Sequence, residues 1–392
     1  MNKLSTISIV RSLIYIILVT AIVQHFPLIK QYYSLLHIVI TIISISCLCL
    51  LIASVNGLII GEITTYLIFL LFYSLWLIMI GALAGHIEDS FSEIVYACVF
   101  IVIGSNISFE DLSSANIAIL YSLANALMLI SVIYFYGVGF VILPTYMIDE
   151  KNQIGAQAGY GLLIAFYGFE MNQRKSKRFL LLLIIIVSFA SLLVLRARAV
   201  LLSLILIALI YIVKKIIKVK NIKQVIIGLI MLVVIYILFS NFLFDKIRNS
   251  FLLGFNNSGI SITSYRFESY INAFKYIMEK PILGLLSGKM LNGIKPHNYL
   301  IYKLLQYGLL FSIPYLIFII YLFIQVLKEL SLNTDNCYFW KWLIIAYGLI
   351  ISMFEYAFPF LPGTTHIIFW ITLGIIDKKS INARRLILRR SK

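Results

Sequence analysis

Charged residues are scarce in this sequence, and acidic residues are the scarcest. Only 12% of the 392 residues are charged, with 16 acidic against 32 basic side chains, while 62% are hydrophobic. A soluble domain carries about a quarter charged residues. The composition therefore excludes a soluble globular protein and predicts a polytopic membrane protein.

The sequence also has little cysteine and none of the common catalytic or metal-binding motifs. Its four cysteines lie in apolar segments or at a segment edge, so we expect neither a structural disulfide nor thiolate chemistry. No Asp-x-Asp pair, Walker loop or Ser-His-Asp order is present. We therefore predict no metal site and no cofactor. An enzyme built on this chain would use arginine and histidine side chains, with or without a carboxylate.

Long apolar segments predict an all-α protein that forms a single membrane domain over residues 1–392. A helix needs about 20 apolar residues to cross the hydrocarbon core. About twelve segments meet this requirement: 7–24, 35–55, 58–81, 92–107, 116–137, 155–170, 179–195, 199–213, 224–244, 299–327, 338–356 and 360–376. If the break at 359–363 is only a kink, there are eleven. The glycine-rich sixth segment is expected inside the bundle, where small residues allow close helix contacts.

The distribution of basic residues predicts the orientation of the chain. With twelve spans, the basic segments 172–178 and 214–223 and the tail after 377 share one side with the N-terminus. The positive-inside rule makes that side cytoplasmic, so both termini are predicted to be cytoplasmic. The long loop 245–298 then lies on the outer face. Its basic excess favours an anionic ligand there.

Within this outer loop, residues 267–280 have the pattern of an amphipathic helix. Apolar residues recur at helical spacing at Phe267, Tyr270, Ile271, Phe274, Ile277 and Met278. Pro281 is expected to end the helix. The helix would lie along the outer face of the membrane that the chain spans. Arg266 stands at its N-terminus, where a guanidinium and free amides can bind an anion. An ion pair with Glu268, or simple exposure to solvent, explains Arg266 equally well.

Three other polar residues interrupt the apolar pattern near predicted helix starts. Arg196 and Arg198 lie between two apolar segments, where they could extend to the membrane surface or point into the bundle. Arg198 is the stronger candidate for the inward position. His297 comes just before the tenth span. It could act there as a helix cap or as a general base.

These residues occur in segments that resemble the O-antigen polymerase and O-antigen ligase superfamily of bacterial membrane glycosyltransferases. The similar segments are 151–157 (KNQIGAQ), 196–202 (RARAVLL), 265–284 (YRFESYINAFKYIMEKPILG) and 297–310 (HNYLIYKLLQYGLL). The second segment is similar to the family's Ser-Arg-Gly-Ala motif but has Ala197 and Ala199 in place of the serine and the glycine.

The resemblance implies a GT-C-like fold and metal-independent transfer of a glycan from undecaprenyl pyrophosphate at the outer face of the inner membrane. Arg198 and Arg266 would hold the pyrophosphate, and His297 would orient or deprotonate the acceptor hydroxyl. We expect Arg196, Glu268, Asn298 and Lys289 to contribute to substrate binding. The expected partners are the lipid-linked oligosaccharide, membrane lipids, a flippase and a chain-length regulator, with no nucleic acid.

The resemblance leaves the acceptor open. A polymerase joins the glycan to another repeat unit, whereas a ligase joins it to lipid A-core. We favour the polymerase because the outer loop is modest in length. A polysaccharide flippase or transporter, in which the arginines only bind substrate, is a third reading. It would be expected to show repeats between the two halves of the chain, and none is evident.

Overall fold

The computed structural model describes residues 3–53, 65–84, 87–106, 115–136, 148–195, 197–218, 266–282, 284, 296–332, 336–355 and 366–375. All regular elements within these ranges are helical, which confirms the predicted all-α class for this part of the chain. The predicted span 224–244 and most of the loop 245–298 lie outside the described residues.

Each predicted span other than 224–244 coincides with a helix over its described residues. The helices are α1 Lys3–Val23, α2 Tyr33–Ala53, α3 Thr65–Ala84, α4 Ile87–Ser105, α5 Ala115–Tyr136, α6 Ile148–Met171, α7 Lys175–Val194, α8 Arg198–Lys218, α9 Arg266–Glu279, α10 Tyr299–Leu332, α11 Asn336–Ser352 and α12 over 367–375. A short 3-10 helix, Pro27–Tyr32, precedes α2.

Four stretches among the described residues are long and apolar enough to cross a membrane. They are Pro27–Ala53, Asn116–Tyr136, Lys175–Val194 and Ser312–Ser331. Their outward faces carry large apolar side chains, such as Ile38 and Ile42 on α2, which are 58% and 57% exposed. Apolar faces of this kind favour contact with lipid over contact with water. The chain is therefore a helical membrane protein, and the number of twelve spans stays a prediction.

Helix α6 lies inside the bundle, as its glycine content predicted. Its residues 154–165 are all buried, and it packs against α5, α7, α8 and α11. Glycine is needed where a neighbouring side chain lies directly against the α6 backbone. A Cβ on Gly159 would overlap the hydroxyl of Tyr347, and one on Gly161 would lie 2.8 Å from the side-chain nitrogen of Asn125.

Helix α10 is broken at Gly308, where φ is 67° and ψ is −174°. The amides of Leu309 and Leu310 donate to the carbonyls of Pro281 (2.8 Å) and Ile282 (3.2 Å), which follow α9. The segment after α9 thus supplies acceptors for the first free amides beyond the break.

The same segment crosses α10 at a second glycine. Gly284 has a φ of 61°, and a Cβ on either Gly284 or Gly308 would overlap the backbone nitrogen of the other. Non-glycine residues rarely adopt these conformations. Two of the segments that carry the family resemblance, the Pro-Gly end of one and the Gly-Leu of the other, therefore meet at this crossing.

Polar contacts join the ends of four helices at one end of the bundle. Lys215 Nζ of α8 lies 2.5 Å from Glu170 Oε1 of α6, and Trp340 Nε1 of α11 donates to Glu170 Oε2 at 2.6 Å. Lys214 Nζ donates to the carbonyl of Leu330 near the end of α10 at 2.9 Å. We call this end, with its lysines, the basic end. The starts of α6, α8 and α10 and the end of α11 consequently lie at the opposite end.

Candidate functional site

His297 and Glu355 face each other at the end of the bundle opposite the basic end. His297 lies two residues before the start of α10, and Glu355 follows the last turn of α11. The His297 Nδ1 atom lies 3.9 Å from Glu355 Oε2, with side-chain exposures of 18% and 7%. This is an ion-pairing distance when the imidazole is protonated, and it is longer than a hydrogen bond. In this position the carboxylate faces the ring nitrogen and can orient the imidazole.

Asn298 fixes this pair by joining the two helix ends. Its Oδ1 atom accepts a hydrogen bond from the amide of Ile301 at 3.1 Å, so Asn298 caps the start of α10. Its Nδ2 atom donates to the carbonyl of Met353 at 3.1 Å, two residues before Glu355. The side chain is buried. In the structure Asn298 positions its neighbours, and its predicted contact with substrate stays a prediction.

Tyr270 connects α9 to the same place. Its hydroxyl donates a hydrogen bond of 3.1 Å to the carbonyl of His297. Arg266 is the first residue of α9 and stands one turn before Tyr270. Residues four apart lie on the same face of a helix, about 6 Å apart along its axis. The backbone of Arg266 therefore lies one turn along α9 from a residue bonded to His297.

The apolar face of α9 points away from the bundle. Ala273 is fully buried against the protein, while Ile271, Phe274 and Met278 are 41%, 49% and 78% exposed. The helix begins at Arg266 and ends at Glu279, within one residue of the predicted 267–280 at each end and before Pro281. An exposed apolar face on a helix at the end of the bundle fits a helix lying in the membrane surface.

Arg198 begins α8, beside α6 and at the same end of the bundle as His297. Arg198 is half-buried. The preceding residue, Ala197, packs on α6, where a Cβ on Gly155 would lie 3.2 Å from the Ala197 Cβ. The next residue of α6, Ala156, accepts a 3.0 Å hydrogen bond from Tyr347 of α11. Helix α6 therefore contacts both the residue before Arg198 and the helix that leads to Glu355.

A buried lysine lies about one turn into α10. Lys303 is fully buried, and its Nζ lies 3.2 Å from Gln306 Oε1. The same atom lies 5.0–5.4 Å from the ring centres of Tyr299, Tyr302 and Tyr307. Faces of aromatic rings at this range stabilise a cation. The arrangement holds a positive charge inside the bundle, close to the start of α10.

The other four predicted site residues lie wholly or partly outside the part of the chain that the structure describes. Arg196 and Lys289 lie outside the described residues, and for Arg266 and Glu268 only the helical backbone is described. The structure thus brings together His297, Asn298 and the backbone of α9. Within the described residues, no group of three or more histidine, cysteine or acidic side chains could hold a metal ion.

Sequence reasoning missed Glu355 and Lys303. Both lie inside apolar segments that were predicted to span the membrane, 338–356 and 299–327. Ionisable residues within such segments are rare and are commonly functional. That signal was sufficient to select both residues. It did not indicate that Glu355 would face His297, because the two are far apart in the sequence.

These features define the class of the protein: a helical membrane protein with a histidine that faces a buried carboxylate at one end of the bundle. No protein-family model matches the chain, and no curated protein matches it.

Proposed function

We propose that this protein polymerises lipid-linked polysaccharide repeat units. It transfers a glycan from undecaprenyl pyrophosphate to the next repeat unit at the outer face of a bacterial inner membrane, with the basic end and both termini in the cytoplasm. The proposal joins the family resemblance to one observation. His297 Nδ1 faces the buried Glu355 carboxylate at 3.9 Å, at the end of the bundle to which the resemblance assigns the chemistry.

The proposed reaction replaces one bond to the anomeric carbon with another. A hydroxyl oxygen of the acceptor sugar forms a bond to the anomeric carbon of the donor glycan. The bond from that carbon to the phosphate oxygen breaks, and undecaprenyl pyrophosphate leaves with the electron pair. The acceptor proton passes to His297, whose imidazolium is stabilised by Glu355. A positioned general base contributes about 10²- to 10⁴-fold to the rate of such a step.

The arginines act on the leaving group in this proposal. Negative charge develops on the pyrophosphate as the glycosidic bond breaks, and fixed cations lower the energy of that state. Arg198 at the start of α8 and Arg266 at the start of α9 belong to helices that reach the His297 end. Arginine cannot lose its proton at physiological pH and binds phosphate oxygens through two parallel donors. Both therefore suit charge stabilisation and not proton transfer.

Deletion of the gene in its own host tests the proposal, with the surface glycan separated by size. Loss of the polymerase leaves single repeat units on the lipid A-core. Bare core together with long glycan on undecaprenyl pyrophosphate identifies a ligase instead. Loss of all outer-face glycan, with undecaprenyl-linked units retained on the cytoplasmic face, identifies a flippase. An unchanged size distribution of the glycan overturns the proposed function in all three forms.

A further inference from the structure

A cavity of about 350 Å³ lies beside the start of α6. It is lined by Gln24, His25, Lys30, Tyr33, Tyr136, Gln153 and Ile154. These residues come from the end of α1, the 3-10 helix, the start of α2, the end of α5 and the start of α6. Its volume falls at the lower end of the range for small-molecule sites, about 300–1,000 Å³.

Most of the lining side chains of this cavity carry hydrogen-bonding groups. Gln24 is fully buried, and its Nε2 lies 3.3 Å from His25 Nε2. Because an amide nitrogen only donates, His25 accepts this hydrogen bond as a neutral imidazole. Burial, with a smaller contribution from the Lys30 ammonium, lowers the pKa of His25 to about 4. At neutral pH the cavity therefore presents amides, phenols, a neutral imidazole and one ammonium group.

Two tyrosines, from two different helices, border the cavity. Tyr33 at the start of α2 is exposed, and one stacking partner of its ring is His37, with ring centres 6.2 Å apart and planes at 14°. Tyr136 is the last residue of α5 and is half-buried. Flat aromatic rings beside amide groups match the two kinds of surface on a sugar ring, its C–H face and its ring of hydroxyls. A lipid chain would use few of these polar groups.

The cavity and the candidate active site share the first turns of α6. Gln153 and Ile154 line the cavity, whereas Gly155 is directly against Ala197, the residue before Arg198. Ala156 is bonded to Tyr347 of α11, which leads to Glu355. Successive residues of a helix are about 1.5 Å apart along its axis. The residues of α6 that line the cavity are therefore directly followed in the helix by those that contact α8 and α11.

We infer that this cavity is a second glycan-binding site, which holds a mono- or disaccharide unit of the polymer away from the reacting bond. The inference rests on the proposed function. In it, Gln153 bonds to sugar hydroxyls, and Tyr33 and Tyr136 contact the sugar face. A chain held at two places stays bound between successive additions, because its second contact is intramolecular. The cavity thus favours repeated addition to one glycan chain, and so long products, over release of the chain after each addition.

Photochemical capture tests the ligand. Tyr33 is replaced by p-benzoylphenylalanine in the native host, cells are irradiated, and the protein is examined for covalently attached glycan and for attached phospholipid. The control carries the same photoreactive residue at Leu127, which is 49% exposed on α5. We expect glycan on the Tyr33 variant and only lipid on the Leu127 variant. Lipid alone at both positions overturns the inference.

Two variants test the consequence for product length. Gln153→Leu and Lys30→Met change half-buried lining residues without touching the candidate catalytic groups. We expect both to shorten the most abundant glycan by at least about twofold while linkage formation continues, since avidity is lost. Glycan of unchanged length in both variants contradicts the second site. If deletion of the gene still abolishes long glycan, the proposed function stands and only the inference fails.

Discussion

His297 and Glu355 are brought within 3.9 Å of each other by hydrogen bonds that lie outside the pair itself. Asn298 bonds to the carbonyl of Met353, and Tyr270 bonds to the carbonyl of His297. The imidazole and the carboxylate are therefore held by three separate segments of the chain. A change in any one of them should move the histidine relative to the carboxylate.

The first prediction concerns this pair. His297→Ala should lower the rate of chain extension by about 10²- to 10⁴-fold, because the base is removed. Glu355→Gln should cause a smaller loss, because the imidazole remains but its charged state is no longer stabilised. The rate is measured as glycan extension per unit of inserted protein. Glu279→Gln, an exposed carboxylate at the end of α9, serves as the control and should extend normally. Chain extension at the wild-type rate in His297→Ala would exclude His297 as the general base.

The second prediction concerns the crossing of Gly284 and Gly308. Alanine at either position must adopt a positive φ and overlap the opposing backbone, so each variant should unfold at a lower temperature than the wild type. The backbone strain alone is about 1–2 kcal/mol. Thermal unfolding in detergent measures the loss. Gly155→Ala is the comparison, because its Cβ would meet only side chains, at 3.1–3.2 Å. Equal stability of all three variants would show that the crossing is not tightly packed.

The third prediction concerns pH and His25. The pKa of His25 is lowered to about 4 in the folded protein, against about 6.5 in the unfolded chain. Between these values the unfolded chain binds more protons, so stability falls as the pH falls from 6.5 towards 4 and then levels off. In His25→Gln this part of the pH dependence should disappear. Unfolding temperatures measured across this pH range test it. An identical slope in the variant would assign the effect to other groups.

The fourth prediction separates charge from geometry at the two arginines. Arg198→Ala and Arg266→Ala should each abolish chain extension while the protein still inserts. Arg198→Lys and Arg266→Lys should recover only part of it, because lysine keeps the charge but lacks the paired donors that bind phosphate. Affinity for undecaprenyl pyrophosphate, measured with the purified variants, should fall in the same order. Full activity of Arg266→Ala would refute the role in pyrophosphate binding.

Much of the architecture could be predicted because hydropathy and local signals act over short stretches of chain. The length of apolar segments located α2, α5 and α7, and Pro281 correctly marked the end of α9. The glycines of α6 correctly indicated a buried helix. In each case the residues that determine the feature lie within about one helix length of it in the sequence.

The polar contacts of the candidate site could not be predicted in the same way. Nothing near Glu355 in the sequence indicates that α11 ends opposite the start of α10. The break at Gly308 also depends on a distant segment, because Pro281 and Ile282 supply the acceptors that α10 lacks. The Pro-Gly and Gly-Leu motifs were recognised separately, and only the fold shows that they are one contact.

The most direct measurement reconstitutes the purified protein in lipid vesicles with undecaprenyl-pyrophosphate-linked repeat units and no lipid A-core. The size of the lipid-linked glycan and the release of undecaprenyl pyrophosphate are followed together. The proposed function predicts longer glycan, with one undecaprenyl pyrophosphate released for each new linkage, and neither change with His297→Ala. Repeat units that stay single, or that only move to the other side of the vesicle membrane, would contradict it.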